Sequence, residues 1–312
     1  MFQRIQVIVN PAAGQDAPIL NAMNKVFGEA GIEWDVSLTK QAGDAQRLAQ
    51  EAVAAGVDVV AVYGGDGTVA EVASGLIGSS VPMAILPGGT ANVLSVELGI
   101  PIDITQACQL ASGANSKIRK VDMGLVNEHH FILRVGIGFE AAMVENADRE
   151  LKNKYGVLAY LWSAVQNLYK PEIAHYRMML DGKLVETEGL TCIVANSGNL
   201  GQAGINLIPG IDVSDGLLDV IVIQQASLRT FFDIVGSIAG LKQLPVDDPE
   251  SQRNFSEQVR QSLQYWQAHE VLIETLPVQS VQYDGEILGK TAIQCKILPQ
   301  AINVVVPNLE TA

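Results

Sequence analysis

The feature that most constrains the fold of this chain is an apolar run that ends in a glycine-rich loop. Residues 57–63 read Val-Asp-Val-Val-Ala-Val-Tyr, and Gly-Gly-Asp-Gly-Thr follows at 64–68 before the pattern becomes helical. A short run rich in β-branched residues is typical of a strand buried in a parallel sheet. The sequence therefore predicts a buried strand, a tight loop and the first turn of a helix.

Such a strand–loop–helix junction suits a phosphate group. It presents unpaired backbone N–H groups and the positive end of a helix dipole, and glycine lets a ligand approach the backbone closely. Asp66 is unexpected in this setting, because a carboxylate repels a phosphate unless a cation lies between them. The loop thus indicates a Mg²⁺–nucleotide site, although the motif alone also fits an ordinary βα turn.

The first part of the chain alternates between strand and helix patterns. Short apolar runs predict strands at residues 5–9, 34–39, 57–63 and 83–86, with helical patterns between them. This alternation favours a parallel α/β sheet with right-handed crossovers. Ligands bind at the carboxyl ends of such strands, where the loops 10–14, 64–68 and 87–92 carry motif-like residues. We therefore expect these loops to form one site.

The pattern changes near residue 117, where strands spaced by turns replace the alternation. Residues 118–126 and 131–137 predict a hairpin, with His129 and His130 in its turn. Further strands are predicted at 174–180, 184–194, 217–223, 271–283 and 291–306, with helices at about 139–169 and 227–243. Many strands with few helices between them favour an antiparallel sandwich.

Composition limits the class of protein. A chain of 312 residues exceeds the usual size of one domain, so two domains are expected. The 20 basic and 34 acidic residues give a net charge of −14, a poor balance for binding nucleic acid. Neither a signal peptide nor an apolar run of membrane-spanning length is present, so a cytoplasmic location is expected.

Three Asp-Gly pairs lie in the second part, and two of them carry candidate chemistry. Asp181-Gly182 lies between strand patterns and predicts only a hairpin turn. Asp284-Gly285 has the same context, and the turn is either purely structural or presents Glu286 as a general base. The segment 212–216 concentrates carboxylates and carbonyls, which suit Mg²⁺ or Ca²⁺ but also fit a solvated turn.

The order and spacing of these motifs resemble the diacylglycerol kinase catalytic-domain family, especially its bacterial soluble lipid kinases, which are related to sphingosine and ceramide kinases. The similarity covers nearly the whole chain. It is carried by Asn-Pro-Ala-Ala-Gly at 10–14, Gly-Gly-Asp-Gly-Thr at 64–68, Pro-Gly-Gly-Thr-Ala-Asn at 87–92, Val-Asp-Met-Gly at 121–124, Gly-Ile-Gly-Phe at 136–139, Asp-Gly-Leu-Leu at 215–218 and Tyr-Asp-Gly-Glu at 283–286.

The resemblance implies a two-domain fold with the active site in the cleft between the domains. The first, residues 1–125, would be a parallel α/β domain like that of NAD kinase and phosphofructokinase. The second, residues 126–299, would be an antiparallel β-sandwich that binds the lipid, and residues from about 300 to 312 would return to the first domain.

The resemblance also implies roles for individual residues. Glu286 would be the catalytic base that takes the proton from a lipid hydroxyl, Asp284 would support it, and Asp66 would act through the catalytic Mg²⁺. A structural Mg²⁺ would be held by Asp215 and the backbone carbonyls of Asp212 and Leu217, with Asp122 in its water network. The residues expected to bind ATP are Asn10, Pro11, Gly14, Thr39, Gly64, Gly65, Asp66, Gly67, Thr68, Glu71, Gly89, Thr90 and Asn92.

Three departures from the family pattern bear on the acceptor. Ala70 stands where many members have asparagine, Val93 where diacylglycerol-specific members have aspartate, and Glu140 where aspartate is common. ATP use is expected to survive these changes, whereas the identity of the acceptor stays open.

The function expected from the resemblance is an ATP- and Mg²⁺-dependent lipid kinase of phospholipid biosynthesis, with diacylglycerol or a related lipid as the favoured acceptor. The protein would meet its lipid transiently at the inner face of a membrane and bind no nucleic acid, and a homodimer stays open. The alternatives are an NAD kinase-like small-molecule kinase and a non-catalytic nucleotide- or lipid-binding protein on the same fold.

Overall fold

Strands and helices alternate through the first part of the chain, as predicted. The computed structural model describes residues 2–13, 18–138, 141, 173–199, 210–224 and 263–308. The first elements are β1 (Arg4–Val9), α1 (Ile19–Glu29), β2 (Glu33–Leu38), α2 (Asp44–Ala54), β3 (Val59–Gly64), α3 (Asp66–Leu76), β4 (Met83–Pro87), α4 (Val93–Glu97) and α5 (Ile104–Ala111). The strands pair in parallel in the order β2-β1-β3-β4.

Burial explains why the central strands read as continuous apolar runs. Every residue of β3 and β4 is buried, as expected where helices cover both faces of a parallel sheet. The helix α2 contributes Ala45, Ala49 and Ala52 to this core. Their helical spacing is the stripe that identifies α2 in the sequence.

In the second part of the chain, all the elements that the structure describes are strands. They are β5 (Ser116–Val126), β6 (His129–Phe131), β7 (Arg134–Gly138), β8 (Ala174–Leu180), β9 (Lys183–Gly189), β10 (Thr191–Ala195), β11 (Leu218–Ile223), β12 (Leu263–Ala268), β13 (Glu270–Leu276), β14 (Ser280–Tyr283), β15 (Glu286–Lys290) and β16 (Ile293–Pro307). They form a six-stranded antiparallel sheet, β12-β11-β10-β7-β14-β15, and extend the first sheet in the order β4-β16-β13-β8-β9, with β5 against β16 and β6.

The second part is an antiparallel sandwich, as predicted. One core lies between the six-stranded sheet and the β13-β8 side of the larger sheet. Along β8, Ala174, Tyr176, Met178 and Leu180 are buried and the residues between them are exposed. This alternation is typical of a sheet with one solvated face.

The strand β16 joins the two parts. It pairs antiparallel with β13 and β5 and ends parallel to β4, where Val304 is opposite Met83. β16 therefore reaches the first sheet. The assignment of residues from about 300 to 312 to the first domain stays a prediction, and residues 309–312 lie outside the described part. The predicted boundary after residue 125 falls at the end of β5 and stays a prediction.

Several predicted strands are wrong in extent because the chain crosses between sheets. The run 184–194 comprises β9 in the larger sheet and β10 in the smaller one, and 271–283 comprises β13 and β14 in the same way. The run 131–137 also divides: β6 pairs with β5, whereas β7 joins the other sheet. Both sheets face one core, so the apolar pattern continues across each crossing and hides it.

Other differences are smaller. His129 and His130 lie in β6 rather than in the turn before it. The sequence does not identify α5, β12 or β15. The helices predicted at 139–169 and 227–243 fall almost entirely on residues outside the described part. Among the helices that are described, none is both long enough and apolar enough to span a membrane.

Candidate active site

Three loops meet at the carboxyl ends of β1, β3 and β4. The side-chain amide of Asn10, after β1, donates to the Thr68 hydroxyl at 2.9 Å, and the Asn10 N–H donates to the Tyr63 carbonyl at 2.9 Å. The Gly88 N–H, after β4, donates to the Gly64 carbonyl at 3.0 Å. The predicted convergence of the loops is therefore what the structure has.

Close packing accounts for two glycines of these loops. A Cβ on Gly64 would lie 2.6 Å from the Thr68 Cβ, and a Cβ on Gly89 would lie 2.6 Å from the Gly65 Cα. Both distances are far inside van der Waals contact. Glycine at these positions lets the loop after β3 touch both its own helix and the loop after β4.

Asp66, the first residue of α3, bridges two of the loops. Its Oδ1 accepts the Val93 N–H at the start of α4 at 2.7 Å. Burial raises the pKa of Asp66, while the Val93 N–H and the Arg134 guanidinium act in the opposite direction. A carboxylate whose charged form is disfavoured by burial gains from a nearby cation, so this donor fits Mg²⁺.

Other predicted ATP-binding residues shape the loops. The Asn92 amide accepts the Gly89 N–H at 2.9 Å and donates to the Gly89 carbonyl at 2.8 Å, with Asn92 in the left-handed region at φ 48°. Glu71 accepts the Ala45 N–H at the start of α2 at 3.1 Å. These contacts give Asn92 and Glu71 structural roles, and their contact with a nucleotide stays a prediction.

The remaining predicted residues that the structure describes follow β1, β2, β3 and β4. Pro11 lies in the turn closed by the Ala13 N–H and the Asn10 carbonyl at 3.1 Å, Gly67 and Thr90 are exposed, and Gly14 lies outside the described residues. Buried Thr39 follows β2, and its neighbours Leu38 and Lys40 line an open hollow of about 420 Å³. This hollow is lined by Ser37, Leu38, Lys40, Gln41, Asp44, Arg47 and Leu48.

Asp284 anchors the turn between β14 and β15. The turn has left-handed φ values at Asp284 (44°) and Gly285 (89°), as an Asp-Gly hairpin requires. The Asp284 carboxylate accepts N–H groups from Ile132 at 2.7 Å, Leu133 at 3.0 Å and Arg134 at 2.9 Å. Because the N–H groups of residues 132 and 133 donate to Asp284 and not to a neighbouring strand, these residues interrupt the strand predicted at 131–137. Glu286 is exposed as the first residue of β15.

Arg134 connects this turn with the nucleotide loops. Burial raises the pKa of Asp284 to about 6, and the guanidinium of Arg134 opposes that rise, as it does for Asp66. The pKa of Tyr283 is raised by burial and by the charges of Glu286, Asp284 and Glu71. The turn and the loops therefore share one electrostatic environment.

Sequence reasoning missed Arg134, although a signal was present. It is the single charge in the apolar run Phe-Ile-Leu-Arg-Val-Gly-Ile at 131–137. A charged residue in a strand that packs into a core needs a partner, so its presence pointed to a buried acidic neighbour.

The predicted structural metal residues also lie together. The Asp122 carboxylate is fully buried and accepts the Gly216 N–H at 2.7 Å and the Gln300 N–H at 2.6 Å. The Leu217 N–H donates to Asp215 at 2.9 Å, and Arg119 pairs with the Asp212 carboxylate. Burial, then the charges of Asp212 and Asp122, raise the pKa of Asp215, so a cation fits here.

Within the described residues, no group of three or more acidic, histidine or cysteine side chains is arranged to hold a metal. A site at this turn would therefore depend on backbone carbonyls, as the resemblance implies. Oxygen ligands of that kind suit Mg²⁺ and Ca²⁺.

Comparisons with known proteins match both parts of the chain. Residues 4–126 match the family described as diacylglycerol kinase catalytic domain, and residues 134–306 match the YegS C-terminal NAD kinase beta sandwich-like domain. The first match covers the converging loops, and the second covers the strands that carry Arg134, Asp284 and Glu286.

Relatives extend over most of the chain. The diacylglycerol kinase of Bacillus subtilis is 28% identical over 311 residues, 98% of this chain and 97% of that protein. An uncharacterized protein of Synechocystis sp. is 32% identical over 279 residues, 88% of this chain but only 61% of that longer protein.

A solved structure shares the fold. The crystal structure of a diacylglycerol kinase from Bacillus anthracis is similar with a TM-score of 0.73 at 28% identity, covering 100% of this chain and 99% of that one. With both halves matched in order, the chain belongs to the family of lipid kinases that join a diacylglycerol kinase catalytic domain to a YegS-type C-terminal β-sandwich.

Proposed function

We propose that this protein transfers the γ-phosphoryl group of ATP to the hydroxyl of a lipid, with diacylglycerol or a related lipid as acceptor. The observation that carries the proposal is the set of contacts that joins the nucleotide loop to the turn of Asp284. Asp66 accepts the Val93 N–H of α4, and Glu97 of the same helix accepts the Asn199 N–H. The Asn199 carbonyl accepts from the Arg134 side chain, and the Arg134 N–H donates to Asp284. A phosphoryl donor held by the loop would therefore lie near the turn that presents Glu286. The name of the Bacillus subtilis relative supports diacylglycerol as acceptor.

In this proposal the converging loops bind ATP. The N–H groups at the start of α3 would bind the phosphates, and the glycines at 64, 65 and 89 let the loops pack closely enough to converge there. Asp66 would hold Mg²⁺, which when bound neutralises phosphate charge and aligns the triphosphate. The hollow lined by Leu38 and Lys40 has the volume of a small-ligand pocket and would take part of the nucleotide.

The turn would act on the acceptor. Glu286 accepts the proton of the lipid hydroxyl as the hydroxyl oxygen forms a bond to the γ-phosphorus, and the bond from that phosphorus to the β–γ bridging oxygen breaks to release ADP. Asp284 holds the turn through its three backbone hydrogen bonds. A second Mg²⁺ at Asp215, with the Asp212 and Leu217 carbonyls, would have a structural role.

The base is tested with Glu286→Gln. We expect lipid phosphorylation to fall by about 10²- to 10⁴-fold, the usual contribution of a general base. ATP affinity and melting temperature should stay at wild-type values, because Glu286 is exposed and the turn is anchored by Asp284. Glu188→Gln, an exposed glutamate on β9, is the control and should keep full activity. Undiminished turnover by Glu286→Gln would assign the base elsewhere.

The acceptor is tested by offering labelled ATP with a lipid mixture, NAD or a sugar phosphate, and separating the products by chromatography. We expect label in lipid, at vesicle surfaces rather than on water-soluble acceptors. Labelled NAD phosphate would favour the small-molecule kinase. Tight ATP binding with no labelled product would favour a non-catalytic protein.

A further inference from the structure

Among the described residues, Arg134 is a basic residue whose backbone is bonded to the turn of Asp284 and whose charge acts on the nucleotide loop. It begins β7, its N–H donates to the Asp284 carboxylate at 2.9 Å, and its carbonyl accepts the Asp284 N–H at 3.0 Å. The backbone of Arg134 is therefore fixed to the turn that carries Glu286. Its guanidinium acts electrostatically on Asp66 of the nucleotide loop.

Contacts from the first domain orient the segment that holds the guanidinium. The Arg134 Nη1 donates to the Asn199 carbonyl at 3.4 Å. The Glu97 carboxylate, at the end of α4, accepts the Asn199 N–H and the Ser197 hydroxyl, both at 3.0 Å. The start of α4 is bound to Asp66, so a continuous chain of contacts runs from Asp66 through α4 and Asn199 to Arg134.

The negative charge of the site favours a cation beside the phosphoryl group, in addition to the proposed Mg²⁺. Asp66, Glu71, Asp284 and Glu286 all contribute carboxylates to it, in a chain of net charge −14. A triphosphate brings further negative charge, and its terminal group must approach Glu286 for transfer. A partly buried guanidinium opposes this repulsion more strongly than an exposed one, and its planar donors match phosphate oxygens.

We propose that Arg134 binds the γ-phosphoryl group of ATP and stabilises it during transfer, between the loop of Asp66 and the turn of Glu286. This assignment deepens the proposed kinase function and rests on it for the transfer step. The binding of the γ-phosphate, however, can be measured without any acceptor.

The test compares nucleotides that differ only in the γ-phosphate. Wild type, Arg134→Gln, Arg134→Lys and Arg177→Gln are titrated with ADP and with a non-hydrolysable ATP analogue, each with Mg²⁺, by calorimetry. Arg177 is the matched control, since it is an exposed arginine that pairs with Glu186 and Glu274 on the outer face of β8.

We expect Arg134→Gln to lower the affinity for the ATP analogue by about 10- to 100-fold and to leave the affinity for ADP unchanged. A loss of this size is the usual contribution of a hydrogen bond to a charged group. Arg134→Lys keeps the charge and should recover part of the loss, and Arg177→Gln should match wild type. In turnover assays, Arg134→Gln should lower kcat by about 10³-fold with a smaller change in KM for ATP.

The assignment would be overturned if Arg134→Gln weakened the binding of ADP and of the ATP analogue equally. It would also be overturned if the ratio of their two dissociation constants stayed at the wild-type value. Unfolding of both Arg134 variants would overturn it too, because Arg134 would then be a structural residue. Selective loss of the analogue in a protein that phosphorylates no lipid would support Arg134 as the γ-phosphate ligand and reject the proposed acceptor chemistry instead.

Discussion

At the scale of single residues, Asp219 is a buried carboxylate in which only one of the two oxygens accepts hydrogen bonds among the described residues. It lies on β11 with no exposed surface, and its Oδ1 accepts hydrogen bonds from the Tyr265 hydroxyl and from the Gln267 side chain at 3.1 Å. Its Oδ2 has no hydrogen-bond partner among the described residues. Burial accordingly raises the pKa of Asp219 to about 6.

This pKa predicts how stability depends on pH. The folded chain takes up a proton near pH 6 and the unfolded chain near 3.8, so the ionised side chain costs stability at pH 8. The cost decreases as the pH falls below 6 and is gone once the pH is below about 3.8. Asp219→Asn removes the charge and should stabilise the protein at pH 8 by up to about 3 kcal/mol, with most of the advantage gone near pH 4. Urea unfolding at both pH values, with a chelator present, measures the difference.

Asp181→Asn is a control with the opposite sign. Asp181 accepts N–H groups from His269 and Glu270, which lower its pKa, so its contribution is present at neutral pH and lost on acidification. The substitution should therefore destabilise the protein at pH 8. An Asp219→Asn protein less stable than wild type at pH 8 would show that the buried carboxylate is neutral or compensated there.

The sequence reveals the site residues that stand in recognisable motifs but not those that stand outside them. Asp66 and the Asp284-Glu286 turn stand in recognisable motifs, so both could be found from the sequence. Arg134 stands in no motif, and its role depends on Asp284, 150 residues away along the chain. Pairings over such separations come from the fold, which is why the cation was missed while the carboxylates were not.

At the scale of elements, one glycine sets how closely α2 and α3 pack. A Cβ on Gly75 of α3 would lie 2.5 Å from the Gln46 carbonyl and 2.9 Å from the Ala49 Cβ of α2. The two helices must separate to admit a methyl group. Since α2 and α3 flank the nucleotide loops, this packing also positions Glu71 against the start of α2.

Gly75→Ala should therefore lower stability by about 1 to 3 kcal/mol, the usual cost of overpacking a core. Gly28→Ala in α1 is the matched substitution, because a Cβ there meets nothing within 4 Å. It should raise stability by about 0.5 to 1 kcal/mol, as alanine in a helix does relative to glycine. The denaturation midpoints of both variants give the comparison, and equal stabilisation by the two would mean that the helix contact is looser than described.

The elements of the first domain were predictable because each strand and helix is local. Central strands such as β3 are buried on both faces, so composition alone identifies them. The crossings between sheets were not predictable in this way. At Leu190 and at residues 277–279 the chain leaves one sheet for the other, yet the flanking strands face the same core, so the apolar pattern does not mark the change.

At the scale of the whole molecule, β16 makes the two domains one unit. Its first half contributes Ile297 to the sandwich core, and its second half contributes Ile302 to the core of the α/β domain. Asp122 fixes the irregular segment between them by accepting the Gln300 N–H. The strand cannot leave one core without disturbing the other.

We therefore expect both domains to unfold in a single transition. Ile302→Ala should destabilise the protein by about 2 to 5 kcal/mol, the range for truncating a buried isoleucine. The shift should be equal in two reporter proteins that each retain one tryptophan. One retains Trp34, which packs against Phe27 in the first core, and the other retains Trp266, which packs against the second.

Ile297→Ala is the reciprocal test from the sandwich side. Because β16 is continuous, either substitution should move both fluorescence transitions together. A shift confined to the Trp34 reporter in Ile302→Ala would mean that the sandwich folds independently and that the cleft joins two separate units.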